Sequence, residues 1–257
     1  MIALLGALPD ELIGVAKDMV FMQHTSYRGW RLIEGKYANK DIVLMQTGMG
    51  KDRAKQATEY LLEHYSVSAV ISLGFGGSLV ANLEIGDLVL CRGVFHHNHP
   101  DCQDFIPSDP DLIATATRIM EGKPEHLLIG NGLTVDQLAF NPEEKAALGK
   151  IYQAQVVDME SFWVAEIVAH HKIPFLGLRA ISDTLYERLP PFDHFLGSEG
   201  EWLGKEALRH FLLNPNDLKI IPLLYMHTRK ARKRLTEFLR ALVPEIPQEM
   251  IDESNAG

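Results

Sequence analysis

Val157-Asp158-Met159-Glu160-Ser161 is one of two segments that decide the fold class, and Leu178-Arg179-Ala180-Ile181-Ser182-Asp183-Thr184 is the other. Each segment follows an apolar run of strand length. A strand–helix–strand unit of this kind predicts two buried parallel strands in an α/β sheet. Because the carboxyl ends of parallel strands meet at one edge of the sheet, we expect Glu160 and Asp183 to face the same crevice.

Strand-like and helix-like segments alternate along the rest of the chain. Further strands are predicted at residues 2–6, 30–37, 41–47, 69–73, 86–94 and 126–130, and helices at 9–22, 51–65 and 109–120. The pattern predicts a central mixed, mostly parallel sheet flanked by helices. We expect a catalytic domain over residues 1–213, a basic amphipathic helical appendage over 214–243, and a disordered polar tail over 244–257.

The composition of the 257 residues is that of a globular domain, with 46% hydrophobic and 23% charged residues. The apolar runs have strand length, so no membrane-spanning segment is predicted. An acid at Asp10 follows the first apolar run, and no basic region precedes that run, which favours a cytoplasmic protein without a signal peptide. Two cysteines, Cys91 and Cys102, cannot form a disulfide framework.

The net charge of −9 argues against a nucleic-acid partner. The charge is uneven, because residues 216–243 carry seven basic side chains against two acids, which leaves −14 for the remainder. Apolar residues with helical spacing accompany this basic run. The segment therefore predicts either a helix packed on the domain with a solvated basic face, or an interfacial helix that makes peripheral contact with an anionic membrane.

Two glycine-rich turns and one early acid are further candidates for a binding site. The turns are Thr47 to Lys51 and Ser72 to Ser78, and neither matches a dinucleotide fingerprint or a P-loop. Each is either a tight turn or a cradle whose backbone N–H groups approach a ligand. Glu11 follows a strand that ends in Gly6, so it either complements a helix dipole or points into the crevice.

A histidine-rich segment, His96-His97-Asn98-His99, lies near Cys102 and has the residue types of a metal site. Its spacing is too tight for a standard structural zinc site. We therefore expect no metal, and a polar loop near the substrate or a subunit interface.

Five motifs together resemble the superfamily of purine nucleoside phosphorylases and methylthioadenosine–adenosylhomocysteine nucleosidases. The resemblance extends from residue 1 to about residue 190. Its motifs are Gly6-Ala7 with Glu11, Thr47 to Gly50, Gly74 to Leu79, Asp158 to Glu160, and Arg179 to Asp183. It implies a nucleoside phosphorylase-like fold, a purine nucleoside as small-molecule partner, and a homodimer or higher homo-oligomer. It implies no cofactor, with phosphate as co-substrate only in a phosphorylase.

The resemblance also implies roles for individual residues. Glu160 would hold the ribose 2′- and 3′-hydroxyls, with Met159 packed on the sugar. Asp183 would hold or donate a proton at purine N7 and would be oriented by Ser182.

The nucleophile and the purine have their own implied residues. Glu11 would orient and deprotonate the attacking water, and Arg179 would support the acids. The turn with Gly74 and Phe75 is expected to contact the substrate. The purine is expected at Leu133 to Val135, in a loop after a strand that ends at Gly130.

These implied roles agree with the chemistry of N-glycosidic cleavage. Breaking the bond builds positive charge on the sugar, and the leaving purine must accept a proton. We expect burial and a neighbouring carboxylate to keep Asp183 protonated near neutrality. The predicted activity is therefore a nucleosidase that releases adenine from a 5′-modified adenosine.

Several positions depart from the phosphorylase pattern. Phe75 stands where phosphorylases often have a serine or threonine, and Ser72 stands where they often have an arginine. Both differences favour water over phosphate as the nucleophile. If phosphate were the nucleophile, Arg28 or Arg31 would have to supply the positive charge that binds it. Val135 is not aromatic, so stacking on the purine would come from elsewhere, such as Phe140 or Phe105.

Two alternatives stay open at this point. One is a phosphate-dependent phosphorylase, and the other is a nucleoside-binding protein without turnover. Within the superfamily, Asp158, the segment Leu189-Pro190-Pro191 and the basic helical segment resemble the adenosylhopane branch of hopanoid synthesis.

Overall fold

The computed structural model describes residues 1–97, 104–122, 127–137, 141–189, 213–214 and 221–247. The strands are β1 (Ile2–Gly6), β2 (Val20–Tyr27), β3 (Trp30–Tyr37), β4 (Lys40–Gln46), β5 (Ala69–Ser78), β6 (Leu88–His96), β7 (Ile106–Pro107), β8 (Leu127–Thr134), β9 (Val156–Asp158) and β10 (Phe175–Asp183). The helices are α1 (Pro9–Ala16), α2 (Lys51–His64), α3 (Pro110–Arg118), α4 (Pro142–Tyr152), α5 (Ser161–His170) and α6 (Ile221–Glu245).

All ten strands belong to one mixed sheet, and part of that sheet closes on itself. Strands β5, β9, β8, β6 and β10 pair in a ring, because β10 pairs with both β6 and β5. Strands β1, β4, β3 and β2 extend the sheet outward from β5. Five strand pairs are parallel and five are antiparallel. The α/β class and the mixed sheet are confirmed, whereas the expected excess of parallel strands is not observed.

The closed ring determines the relative direction of β9 and β10, the strands that lead to Glu160 and Asp183. Strand β10 runs parallel to β5, with Asp183 opposite Gly77. Strand β9 runs antiparallel to β5, with Val157 opposite the same Gly77. The prediction that both segments end as parallel strands at one edge is therefore wrong. Both strands nevertheless flank the glycine-rich half of β5.

Several predicted boundaries also shift. The helix predicted over residues 9–22 ends at Ala16, and the apolar run after it forms β2. Strand β8 continues to Thr134 instead of ending at Gly130, so Leu133 and Thr134 are strand residues. The two strands predicted over residues 30–37 and 41–47 form an antiparallel hairpin of β3 and β4. Its turn has φ angles of 49° at Ala38 and 65° at Asn39, as a type I′ turn requires.

The helix α6 contributes to the main hydrophobic core. Its apolar stripe packs in one cluster with residues of β1, β5 and β10, and the buried members are Ala231, Leu235, Phe238, Leu239, Leu242 and Val243. Ion pairs from Arg232 to Asp10 at 2.6 Å and from Arg240 to Asp18 at 2.7 Å join the helix to α1 and the residues after it. The apolar stripe is therefore covered by protein, and the outer face carries the basic residues. Within the described ranges, the helices are too short or too polar to cross a bilayer.

The packing of α6 predicts a large difference between two leucines of the same helix. Leu239 is fully buried and Leu223 is 46% exposed. Leu239→Ala should lower the free energy of unfolding by about 2–5 kcal/mol, because it leaves a cavity in the core. Leu223→Ala should change it by less than about 0.5 kcal/mol. Chemical denaturation of both variants checks this, and equal small effects would show that α6 does not stabilise the core.

Candidate functional site

A buried ion pair between Arg179 and Asp158 lies at the centre of the site. Arg179 is on β10 opposite Gly74, and Asp158 ends β9. The Arg179 Nε donates to Asp158 Oδ2 at 2.6 Å, and its two terminal nitrogens donate to the carbonyl and the hydroxyl of Ser72 at 2.9 and 3.0 Å. These bonds tie the end of β9 to β5 and β10.

Asp158 accepts several further hydrogen bonds. The Thr134 hydroxyl donates to Oδ1 at 2.7 Å, and the Ser161 N–H donates to the same oxygen at 3.1 Å. The Ser161 hydroxyl donates to Oδ2, and the Glu160 N–H to Oδ1 at 3.2 Å. A carboxylate with this many donors is held in one orientation. The sequence marked Asp158 only through the resemblance, and its part in organising the site was missed.

Glu160 begins α5 and points toward the N-terminus of α2. Its Oε1 accepts a hydrogen bond of 2.7 Å from the N–H of Gly50, which precedes the first residue of α2. Gly50 has a φ of 85°, a conformation that glycine adopts without strain. Burial and the nearby carboxylates of Asp158 and Glu11 raise the pKa of Glu160 to about 8, against the opposing effects of the Gly50 N–H and Arg179.

Glu11 points into the molecule and is only 5% exposed. Its two oxygens accept hydrogen bonds of 2.9 Å from the backbone N–H groups of Leu8 and Phe75. A Cβ atom at Gly74 would lie 2.5 Å from Oε1, so only glycine allows this approach. Burial raises the pKa of Glu11, although both hydrogen bonds and Arg179 act in the opposite direction.

One cleft brings Glu11, Glu160 and Arg179 together. Its walls come from the ends of β1 and β4, from β5, and from α5. The lining residues are Leu5, Gly6, Ala7, Glu11, Thr47, Ser72, Leu73, Phe75, Glu160, Val164 and Arg179. Both glycine-rich segments therefore border the site: the first through Thr47 and the Gly50 N–H, and the second through Gly74 and Phe75. The second segment is the continuation of β5 and not the predicted turn.

Asp183 lies farther along β5 than the ion pair. Arg179 is opposite Gly74, and Asp183 is opposite Gly77, so about 10 Å of strand separates the two positions. A register shift between Ile181 and Asp183 turns the end of β10, as β-bulges do near functional sites. The Ser182 hydroxyl donates to Asp183 Oδ1 at 2.9 Å, as the predicted orienting role requires.

The charged neighbour of Asp183 differs from the one expected. In place of a carboxylate, the ammonium of Lys145 donates to Asp183 Oδ2. Lys145 is fully buried and was missed by the sequence reasoning. One signal was available, since Lys145, Leu148 and Tyr152 recur at helical spacing and form the buried face of α4. A lysine within an apolar stripe needs a buried partner.

The other predicted substrate contacts are placed as follows. Val135 is buried, and its N–H donates to the Asp158 carbonyl at 2.9 Å. It packs in one cluster with Leu133, and the partly buried Met159 packs against that cluster. The Phe105 ring packs on Phe95 with centroids 4.8 Å apart. Phe140, the other proposed aromatic, lies outside the described residues.

The arginines considered for phosphate lie on the β2–β3 hairpin. Arg28 covers the Tyr27 ring at 5.3 Å. Arg31 is exposed on β3, opposite Gln46.

The histidine-rich segment is described only in part. His96 is buried, its Nε2 lies 3.2 Å from Asp136 Oδ1, and its ring packs on Phe162 and Trp163 with centroid distances of 5.5 and 4.3 Å. Residues 98–103, with His99 and Cys102, lie outside the described ranges. Among the residues that the structure does describe, no three His, Cys, Asp or Glu side chains cluster as a metal site.

The raised pKa of Glu160 predicts a pH-dependent stability. The folded protein binds the proton of the Glu160 carboxyl more tightly than the unfolded chain does. The resulting contribution of Glu160 to the free energy of unfolding is complete below about pH 4 and is lost as the pH rises through about 8. In the wild-type protein the free energy of unfolding should fall with rising pH by at most about 1.4 kcal/mol per pH unit on this account. Glu160→Gln should remove this pH dependence. Chemical denaturation between about pH 5 and 9 checks it against Glu59→Gln, an exposed control on α2. Parallel pH curves for the wild-type protein and Glu160→Gln would contradict the prediction.

Comparisons with known proteins identify a family and relatives of this chain. The family profile of the phosphorylase superfamily matches residues 1–206. The 5′-methylthioadenosine/S-adenosylhomocysteine nucleosidase of Tolumonas auensis is 29% identical over 210 residues, which cover 76% of this chain and 91% of the relative. The enzyme of the same name from Bacillus cereus is 29% identical over 212 residues, with 76% and 91% covered.

Solved structures share the fold at lower sequence identity. The methylthioadenosine/adenosylhomocysteine nucleosidase of Neisseria meningitidis, in complex with methylthio-immucillin-A, has a TM-score of 0.77 at 21% identity and covers 95% of this chain and 99% of its own. The futalosine hydrolase of Helicobacter pylori has a TM-score of 0.76 at 23% identity, with 95% and 97% covered. The resemblance predicted from the five motifs is confirmed, and the chain belongs to the phosphorylase superfamily.

Proposed function

We propose that the chain is a nucleosidase that hydrolyses the N-glycosidic bond of a 5′-modified adenosine and releases adenine. The observation that carries this proposal is the Glu11 carboxylate, held by two backbone N–H groups in the same cleft as Glu160. The more general prediction of an enzyme that cleaves N-ribosyl bonds is confirmed by the family and by the relatives named as nucleosidases.

The cleft is suited to a sugar that becomes positively charged. As the C–N bond lengthens, charge develops on the ribose, and the Glu11 and Glu160 side chains stabilise that charge in their ionised form. Gly50 fixes Oε1 of Glu160, so Oε2 is the oxygen that would accept the ribose hydroxyls. Two fixed acids on one cleft therefore favour the transition state over the neutral substrate.

Water is the nucleophile that the charges favour. The raised pKa of Glu11 makes its carboxylate a stronger base toward a bound water. Among the described residues that line the cleft, Arg179 carries the positive charge, and it is engaged by Asp158 and Ser72. A phosphate anion would therefore find little countercharge there. Phosphorolysis remains the alternative and would need the cations of Arg28 or Arg31, which lie on the β2–β3 hairpin.

The purine end is assigned to Asp183 and Ser182. Asp183 ends β10, which pairs with β5, and Ser72, Leu73 and Phe75 of β5 line the cleft. With Glu160 at the ribose, Asp183 would protonate purine N7, and the Ser182 hydroxyl would fix the carboxyl orientation. Val135 and Met159 would contact the nucleoside between the ribose at Glu160 and the purine N7 at Asp183.

The 5′-substituent is either a small thioether or a lipid-linked group. The relatives are named for methylthioadenosine and adenosylhomocysteine, which favours the thioether. Asp158 and the Leu189-Pro190-Pro191 segment favour the adenosylhopane branch. Competition between methylthioadenosine and an alkyl-chain adenosine for adenine release separates the two substrates. The homo-oligomer also stays a prediction, which light scattering in solution would check.

The outer face of α6 is proposed to contact anionic lipid. Arg229 and Lys233 are exposed, while the apolar stripe is buried, so the basic charge would drive the contact. Arg229→Glu/Lys233→Glu should abolish co-sedimentation with phosphatidylserine vesicles at low salt. The matched control Lys150→Glu/Lys172→Glu reverses two exposed charges elsewhere on the surface. Vesicle binding that survives in the α6 variant would contradict the proposal.

The assigned acids predict a defined pattern of activity. Asp183→Asn and Glu11→Gln should each lower kcat for adenine release from methylthioadenosine by roughly 10²- to 10⁴-fold, because each removes proton transfer in the transition state. Adenine release should be independent of added phosphate. Liquid chromatography of adenine and of methylthioribose checks both statements.

Each contrary result has a distinct meaning. A strict need for phosphate, with methylthioribose 1-phosphate as product, would establish a phosphorylase. Undiminished adenine release by Asp183→Asn would remove Asp183 as proton donor. Methylthioadenosine that binds to the wild-type protein without any cleavage would favour the nucleoside-binding alternative.

A further inference from the structure

The buried cation beside Asp183 has three hydrogen-bond partners. Lys145 Nζ donates to Asp183 Oδ2, to the Thr184 carbonyl at 2.9 Å and to the Glu187 carbonyl at 3.2 Å. Lys145 is 0% exposed and Asp183 is 5% exposed. An ammonium has three N–H groups, so each of them has an acceptor here. The burial of such a charge is costly without this degree of pairing.

The same set of contacts also suits the neutral form of the lysine. An uncharged amine has two N–H groups and one lone pair. The two N–H groups would donate to the carbonyls of Thr184 and Glu187, and the lone pair would accept from a protonated Asp183 Oδ2. A proton can therefore move between Nζ and Oδ2 while every hydrogen bond is kept.

We propose that Lys145 supplies the proton that Asp183 delivers to the leaving purine. This inference rests on the proposed function, in which Asp183 faces N7. An N–H bond of Lys145 breaks as an O–H bond forms on Asp183, and that bond breaks as an N–H bond forms at N7. The electron pair of the broken N–H bond stays on Nζ, and the electron pair of the C–N bond leaves with the protonated purine.

This arrangement explains how an acid beside a cation can act as a proton donor. Lys145 Nζ is the hydrogen-bond donor to Asp183 Oδ2, so the proton that Asp183 delivers is the one it receives from Nζ. Solvent restores the proton to the pair after adenine leaves. Lys145 acts through Asp183 and is a positioning and proton-supplying residue.

Among the described residues, two other titratable side chains lie near the pair. They are Glu187, which accepts from the Thr184 N–H at 2.7 Å, and His227 of α6, whose Nδ1 lies 3.4 Å from Glu187. The Thr184 hydroxyl also donates to the Glu187 carboxylate, while the backbone carbonyl of Glu187 accepts from Lys145. The proposal is therefore tested at Lys145 itself, with Glu187 and His227 left unchanged.

The test compares two leaving groups in the same variant. Lys145→Met should lower kcat for methylthioadenosine by roughly 10²-fold at neutral pH, the lower end of the range for general-acid catalysis. It should leave cleavage of a 4-nitrophenyl 5-methylthioriboside nearly unchanged, because nitrophenolate leaves without a proton. Lys150→Met, an exposed lysine on the same helix, is the matched control and should match the wild-type protein for both substrates.

The pH profile separates proton supply from a purely structural role. In Lys145→Met only the carboxyl holds a proton, so the alkaline limb of kcat/KM for methylthioadenosine should move to lower pH. A limb that moves to higher pH would mean that Lys145 merely keeps Asp183 ionised, and would overturn the proposal. Equal losses for both substrates would assign Lys145 to structure alone.

The variants also distinguish this inference from the proposed function. If Asp183→Asn is impaired while Lys145→Met equals the wild-type protein, only the role of Lys145 fails. If the wild-type protein releases no adenine, the proposed function fails first. Should Lys145→Met not fold, Lys145→Gln keeps two N–H donors for the carbonyls and cannot supply a proton. Wild-type kcat in Lys145→Gln would then overturn the proposal.

Discussion

The buried ion pair of Arg179 and Asp158 is the interaction on which the site depends. It joins the end of β9 to β10, and through Ser72 it joins both strands to β5. A pair of this kind is not required for high stability, because replacing both partners with well-packed apolar residues is often neutral. Removing one partner alone is destabilising, because it leaves an uncompensated buried charge. Its effect is positional: Asp158 holds the Glu160 N–H, and Arg179 places its charge near Glu11 and Glu160.

Close approach of backbone and carboxylate is the second physical constraint. Glu11 reaches the Phe75 N–H only because Gly74 has no side chain, and Asp183 Oδ2 would lie 2.7 Å from a Cβ atom at Gly77. The glycine-rich half of β5 thus allows two acids to approach one strand at separate points. One strand thereby sets the spacing between the cleft at one point and Asp183 at the other.

The local sequence was sufficient to predict two of the core strands and the family. The apolar runs before Glu160 and Asp183 identified two core strands, and the motif order identified the family. The closed ring was not predicted, because the direction of β9 depends on distant pairing with β5 and β8. Lys145 was missed for a similar reason. Its partner is 38 residues away, and a single lysine on a helix is usually solvated.

The docking of α6 has a consequence for biosynthesis. This helix follows the ten described strands, yet Leu235, Phe238 and Leu239 complete the hydrophobic cluster around β1 and β10. During translation, the apolar face of β1 that packs against α6 stays uncovered until α6 has left the ribosome. The nascent chain therefore exposes apolar surface until synthesis has passed residue 246, and in that interval it is a natural client for chaperones.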